Sequence, residues 1–540
     1  MKGLKSVLLI ALSMAVIISM SAFAMPDSIY ASSEAGSDQN KMNIDITYAT
    51  NGEISYPVYS DPSILMPSTS KRRGSAAELP STYDLSSVGR VTSVKDQRGY
   101  GACWAFANIA ALESNLISQG IADSSIDLSE RHLAYFTYHG ADSGERSIYA
   151  GNDTFNTVDG SGNIDGSGTG LYNEGAYSVH QVIATIVRGY GAVNEASAPY
   201  QSVHTPFSIT DMGTVSQSLK TKSLYTVTES RTYPDVVNQD GTLNAAAMDM
   251  VKQGLMKYGA CSISYYEDHE YIDKEEGLEM THPCYNVKHK AYYSTEEYPD
   301  HMVTLVGWSD TFPKEYFGGT KGLKPSGDGA WLVKGSYGTR LSADGYYWIS
   351  YYTPSITDIT QIIGQRTPSQ DIYQYDGTGV GLASGYEDTV VKGANVFTAR
   401  KSEYLKAVGT WTRSADSTVN VKIYKNVKSG SPVSGTKIAD KTYVRTYAGY
   451  HKLSLGKSLK VSKGQKFSVV ITTKYNDGSK DQYLIPFEVG ITDSNLLDLS
   501  GQKKGESFIY YKGKWEDTKD DSDIGNGFYI SNALAKVYAN

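Results

Sequence analysis

The stretch Val94-Lys95-Asp96-Gln97-Arg98-Gly99-Tyr100-Gly101-Ala102-Cys103-Trp104-Ala105-Phe106 decides how this chain is read. Gly101 and Ala102 bring the backbone tightly into a run in which Trp104, Ala107, Ala111 and the pair Leu112 and Leu116 recur at helical spacing, until Gly120 stops it. The pattern predicts a helix whose first residue is Cys103. A sulfur there faces unsatisfied N–H groups and the positive end of the helix dipole, so negative charge on it is favoured. Gln97 lies just upstream, where its side-chain NH₂ and the Cys103 backbone N–H form a pair of donors suited to a developing oxyanion. A lone cysteine is more often a buried structural thiol; this one has a glycine turn before it and a helix behind it.

Working outward, the N-terminus begins with the basic Met1-Lys2-Gly3-Leu4-Lys5, continues with a short apolar stretch and reaches Ala22-Phe23-Ala24, which fits a secretory signal peptide over residues 1–24. Residues 25–78 are rich in Ser, Asp, Asn and Pro and contain the basic run Lys71-Arg72-Arg73, the pattern of a removable pro-segment or linker. The whole chain has 540 residues, too many for one hydrophobic core, and 40% of them are hydrophobic. Its net charge of −8 leaves no basic excess to neutralise phosphates, which argues against nucleic acid as a partner. Three cysteines cannot build a disulfide scaffold; with Cys103 kept as a thiol, Cys261 and Cys284 are the one pair left to bridge in an exported protein.

Between residues 79 and 367 helices come first and strands later. Helices are expected at 103–118, 130–136 after a Ser129 cap, 176–188 and 244–257; strands are expected at 261–265, 302–308, 330–333 and 345–352. This order implies an α+β domain with the two kinds of element segregated. Residues 368–540 change to Tyr, Thr, Val, Lys and Gly, with alternating runs such as Val419-Asn420-Val421-Lys422-Ile423, and predict an all-β sandwich.

Together with Leu79-Pro80-Ser81-Thr82-Tyr83-Asp84, the Gln97–Cys103 stretch resembles the start of a papain-like cysteine protease domain, whose cysteine signature is C-G-[SA]-C-[WY]. The resemblance implies a two-lobe α+β fold, helical lobe beside antiparallel β lobe, over residues 79–367. It implies Cys103 as nucleophile and Gln97 as the oxyanion donor. Pro299-Asp300-His301-Met302-Val303-Thr304-Leu305-Val306-Gly307-Trp308 is similar to the family's histidine strand, so His301 is the implied base and, once protonated, the acid. Asn173-Glu174-Gly175 resembles the family's Asn-Gly-Gly stretch, making Gly175 a substrate-binding candidate, and Met302 falls where the family lines its specificity pocket.

The chain departs from the pattern at Lys334-Gly335-Ser336-Tyr337-Gly338. The family has Lys-Asn-Ser-Trp-Gly here, and its Asn accepts the imidazole N–H; Gly335 has no side chain to do so, and Tyr337 replaces the shielding Trp. Water, Ser336 or a residue from an insertion is left to orient the ring. Tyr100 stands in place of the family's first motif cysteine, and extra length falls around 140–170, 205–241 and 267–300. His282, Cys284 and His289 lack a fourth ligand for zinc, and Asn163 to Glu174 is only a degenerate calcium-loop pattern, so neither metal nor cofactor is implied.

Tyr373-Gln374-Tyr375-Asp376-Gly377, Ala394-Asn395-Val396-Phe397 and Leu405-Lys406-Ala407-Val408-Gly409 are similar to the lectin-like domain that follows papain-like domains in secreted clostridial-type bacterial proteins. The expectation is a secreted or surface-associated cysteine endopeptidase made as a precursor, with protein or peptide substrates and a surface glycan or protein as ligand of the C-terminal domain. The competing reading is a surface adhesin built on a papain-like fold impaired by Gly335.

Overall fold

A computed structural model describes residues 65–68, 79–98, 100–138, 157–158, 164–165, 179–200, 215–274, 277–376, 381–384, 390–476, 481–491, 503–520, 523–525 and 528–540. Helix α1 (Cys103–Ser118) runs through the interior: Trp104, Ala105, Phe106, Ala107, Ile109, Ala111, Leu112 and Leu116 are all buried. A helix apolar on nearly every side has to be covered on every side. Helices α2 (Glu130–Tyr138) and α3 (Val179–Thr185) cover one flank and the sheet covers the other. Ser129 caps α2, its Oγ accepting from His132 N at 3.0 Å. Helix α4 (Ala245–Tyr258) is capped by Asn244, whose side chain accepts from Ala247 N, and ends at Gly259.

Besides the two-residue strands Tyr285–Asn286 and Ala291–Tyr292, the first part of the sheet holds, in chain order, β1 (Thr82–Asp84), β2 (Tyr225–Thr232), β3 (Cys261–Tyr265), β4 (His301–Ser309), β5 (Ala330–Lys334), β6 (Tyr346–Ser350) and β7 (Thr357–Arg366), while β8 (Asp371–Tyr373) lies at the far edge of the same sheet. Strand β4 lies antiparallel between β3 and β5 and is buried at every position. Met302 packs with the α1 cluster, whereas Val303 and Leu305 pack with α4, as the two-residue alternation of a strand requires. At Gly364 of β7 an added Cβ would lie 2.5 Å from Leu112 Cδ1, so the glycine lets α1 settle against the sheet.

The C-terminal region is a sandwich. Strands β9 (Lys392–Thr398), β11 (Ser417–Lys425), β12 (Thr436–Arg445), β14 (Lys466–Asn476) and β15 (Ser507–Tyr511) belong to one layer, and β10 (Glu403–Thr412), β13 (Gly449–Val461) and β16 (Ala535–Ala539) to the other. Leu405, Val408, Leu453 and Val537 meet Val419, Val421, Ile423, Val469 and Ile471 between them. The alternating burial along β11 is the pattern of a strand with one face in the core.

Four readings need correction. The two β regions are one sheet: His451 of β13 pairs with Glu229 of β2, Thr232 N donates to Ala448 O at 3.0 Å, and Trp411 and Tyr450 complete the α1 core. Strand β2 lies in a stretch read as an insertion, because its Thr, Ser, Glu and Arg look like loop composition although Thr226, Ser230 and Thr232 are buried. The helix expected at 176–188 is the short α3 followed by a π-helical turn, Ile186–Tyr190, with Gly189 at φ 98°. Cys261 and Cys284 are both free thiols, so the bridge between them is absent. No helix among the described residues is long and apolar enough to cross a membrane.

Candidate active site

The helix start is built locally. Ala102 occupies the N-cap with no side-chain cap bond, so no capping side chain competes for the N–H groups beside Cys103. Buried Trp104 and Phe106 anchor the turn, and Cys103 itself stays partly exposed. Gln97 is 4% exposed and its carboxamide is pinned at both ends: Oε1 accepts from Ser336 Oγ at 2.5 Å, and Nε2 donates to Tyr100 O at 2.8 Å. The second N–H of that amide has no acceptor among the described residues. Its backbone is fixed too, Gln97 N donating to Ser336 O at 2.7 Å.

The opposite wall is built from distant segments. His301 opens β4, paired with Tyr265 of β3, and is 7% exposed. Tyr337 stacks on its ring at 5.1 Å and 14°, and Tyr265 meets it edge-on at 5.8 Å. His301 Nε2 is buried without a hydrogen-bond partner among the described residues. On the other side, Nδ1 lies 3.5 Å from the Tyr337 hydroxyl and 3.9 Å from Glu267 Oε2.

Glu267 is 3% exposed. Tyr337 donates its phenol to Oε2 at 2.7 Å and Tyr265 donates to Oε1 at 3.0 Å, while the Glu267 N–H donates to Asp300 Oδ1 at 2.7 Å. Burial alone would strip His301 of its proton, but the Glu267 carboxylate and the Cys103 sulfur beside it prevail and raise its pKa to about 9. Burial likewise pushes Glu267 up, yet His301, His282 and the Tyr337 phenol hold it below the usual carboxylate range. Asp300 is raised by burial to about 6.

Of the sequence candidates, the structure brings Cys103, His301 and Gln97 into one constellation. Ser336 is spent on Gln97, so it does not orient the imidazole. Gly335 sits where an added Cβ would be 3.1 Å from Tyr347 Cε1; the tyrosine ring fills the room a side chain would take. Met302 is 6% exposed, with its sulfur 3.2 Å from Asn108 Nδ2 against α1. Gly175 and the Asn163 to Glu174 stretch, apart from Ile164 and Asp165, lie outside the described residues. Sequence reading missed Glu267, Tyr265 and Tyr347. The one available signal was an acidic residue two positions beyond the strand that pairs with His301, at the start of a stretch of extra length.

Residues 79–149 match the papain family cysteine protease, and residues 372–539 match the lectin like domain. Peptidase 1 of Psoroptes ovis is 43% identical over 58 residues, 11% of this chain and 17% of its own length. Cysteine proteinase 1 of Entamoeba histolytica is 25% identical over 274 residues, covering 50% of this chain and 63% of the relative. The chain therefore spans less than two thirds of the length of these relatives. Among solved structures, the cysteine protease and lectin-like domains of Cwp84, a surface layer associated protein of Clostridium difficile, superpose with TM-score 0.63 at 22% identity, over 85% of this chain and 89% of that one. Cwp84 after propeptide cleavage gives TM-score 0.64 at 24% identity, over 85% of this chain and all of the other. At such identity the likeness speaks for the fold, a papain-like domain followed by a lectin-like one. With its cysteine at a helix start, its histidine at the head of a central strand and a β-sandwich beyond, the chain has the fold of a papain-like domain followed by a lectin-like domain, and it matches the papain family cysteine protease over residues 79–149 and the lectin like domain over residues 372–539.

Proposed function

We propose that this protein is a secreted or surface-associated cysteine endopeptidase acting on protein or peptide substrates. The observation that carries the reading is the meeting of the Cys103 sulfur, at an uncapped helix start, with the buried and otherwise unengaged Nε2 of His301. The sulfur attacks the scissile carbonyl and forms an S–C bond, and the carbonyl oxygen takes the negative charge. The spare N–H of Gln97 and the Cys103 backbone N–H receive that oxyanion. His301 gives its Nε2 proton to the amine nitrogen as the C–N bond breaks. It then takes a proton from water, which hydrolyses the thioester and returns the thiol. Gly175 and Met302 are proposed as substrate-binding positions.

The lectin-like domain is proposed to hold the enzyme near a surface glycan or protein, in keeping with the surface-layer association stated for Cwp84. Residues 1–24 and 25–78 are proposed as signal peptide and pro-segment, 79–367 and 368–540 as the two domains. Labelling the processed protein with an epoxide thiol inhibitor and mapping the adduct tests the reading. Modification at Cys103, with cleavage of an unfolded protein lost in Cys103→Ala, is expected; a Cys103 no more reactive than free cysteine near pH 6 overturns it.

A further inference from the structure

We infer that Glu267, acting with the Tyr337 phenol, is the positioning residue that holds the His301 imidazole, in the place left empty by Gly335. The inference rests on the peptidase reading of the Cys103–His301 pair and deepens it.

The geometry is specific. A carboxylate taken out of water is costly unless paired. Glu267 is 3% exposed, and its one ion pair among the described residues is with His301, Oε2 to Nδ1 at 3.9 Å. That separation is an ion-pair distance, and the Tyr337 hydroxyl spans it: 3.5 Å from Nδ1 on one side and donating to Oε2 at 2.7 Å on the other. An anion facing Nδ1 favours the ring form with a proton on that nitrogen. Nε2 is then the nitrogen that trades a proton with sulfur. The same tyrosine lies flat against the ring, so one residue both restrains its tilt and relays the carboxylate.

The carboxylate is itself held. Tyr265 donates to Oε1, Tyr347 pairs with the Tyr265 hydroxyl at 2.7 Å, and Asp300 anchors the Glu267 N–H. Tyr347 is also the ring that fills the space beside Gly335, so filling that space and bracing Glu267 are one arrangement. The charged and titratable groups facing the pair are Cys103 from α1, Tyr265 from β3, His269, His282 and Tyr292 from the segment beyond it, Asp300 ahead of β4, Tyr337 after β5 and Tyr347 from β6. His269 and His282 reinforce the negative state of Glu267, while Asp300 adds to the pull on the His301 proton.

The test compares wild type, Glu267→Gln, Glu267→Asp and Tyr337→Phe. His301 is titrated by NMR, and the pH profile of kcat/KM is measured on a peptide substrate. Removing the negative charge is expected to bring the His301 midpoint down from about 9 by at least one unit, with the alkaline limb of activity moving alongside. The rate constant kcat should fall roughly 10²-fold with KM little changed, less than the ~10⁴ of a serine triad that loses its hydrogen-bonded Asp, because this contact is an ion pair. Glu267→Asp restores part of the midpoint and the rate. Tyr337→Phe keeps the stacked ring, removes the donor to Oε2 and costs kcat about tenfold. A His301 midpoint and alkaline limb unmoved in Glu267→Gln overturn the inference. If that variant does not fold, unchanged kcat in Tyr337→Phe overturns it. The titration reads the ring whether or not substrate is cleaved, so an inert wild type, which would defeat the peptidase reading, is told apart from a misassigned Glu267.

Discussion

The two walls of the cleft are specified in opposite ways. The cysteine wall, Gln97 to Phe106, is one short segment whose turn, helix start and amide donor follow from adjacent residues. The histidine wall gathers Tyr265, Glu267, His301, Tyr337 and Tyr347 from four separate parts of the chain. A site can therefore lose a motif residue on one wall and keep the geometry, provided tertiary packing brings another group to the same nitrogen. On the cysteine wall no such substitution is open, since the backbone itself supplies a donor.

Changes at each wall sharpen the contrast. Cys103→Ala removes the nucleophile and should lower kcat on the order of 10⁶-fold, to the residual rate left by binding and the oxyanion donors, in a fluorogenic peptide assay. Gln97→Ala should cost about 10²–10³ in kcat with KM nearly constant, the signature of a donor used mainly in the transition state. Equal losses in kcat and affinity would instead make Gln97 a ground-state contact.

Gly335→Asn is the direct challenge to the histidine wall. Restoring the family residue would place a Cβ 3.1 Å from Tyr347, so melting should report destabilisation of about 1–3 kcal/mol, and kcat should not rise. A gain in kcat would mean that the Glu267 arrangement leaves the ring poorly held.

The smallest expected effect is in the pH dependence of stability. His301 is held at about 9 against an ordinary 6.5, so its contribution is complete below about 6.5 and is lost as pH rises through 9. His132 and His180, kept neutral by burial with pKa about 4, act the other way: stability is intact above 6.5 and falls as pH drops toward 4. Buried His451, at about 3, extends that acid-side loss. Denaturant titrations should thus place maximum stability near pH 6.5, and Glu267→Gln should flatten the alkaline side alone.

Much of the fold was legible. Helix α1, the Asn244-capped α4, strands β3 to β6 and the alternating strands of the sandwich carry their periodicity and caps in adjacent residues. Strand β2 was not legible, because its polar residues gain their order from partners far along the chain, Thr360 and Gln361 on one side and His451 on the other. The joining of both β regions into one sheet was hidden for the same reason. Each half has a self-sufficient pattern, and only the edges of the folded strands meet.

The amino-acid sequence alone pointed to Cys103, His301 and Gln97 as the proposed nucleophile, base and oxyanion amide, since a glycine turn, a helix start and an apolar strand headed by histidine are local events. It also exposed the vacancy at Gly335. What fills that vacancy was decided by the tertiary structure: Glu267 becomes an imidazole partner only because Tyr265, Tyr337 and Asp300 converge on it where it is buried. A carboxylate in a polar loop has no spacing or periodicity to announce its role. Its charge acquires meaning from the groups that folding places around it.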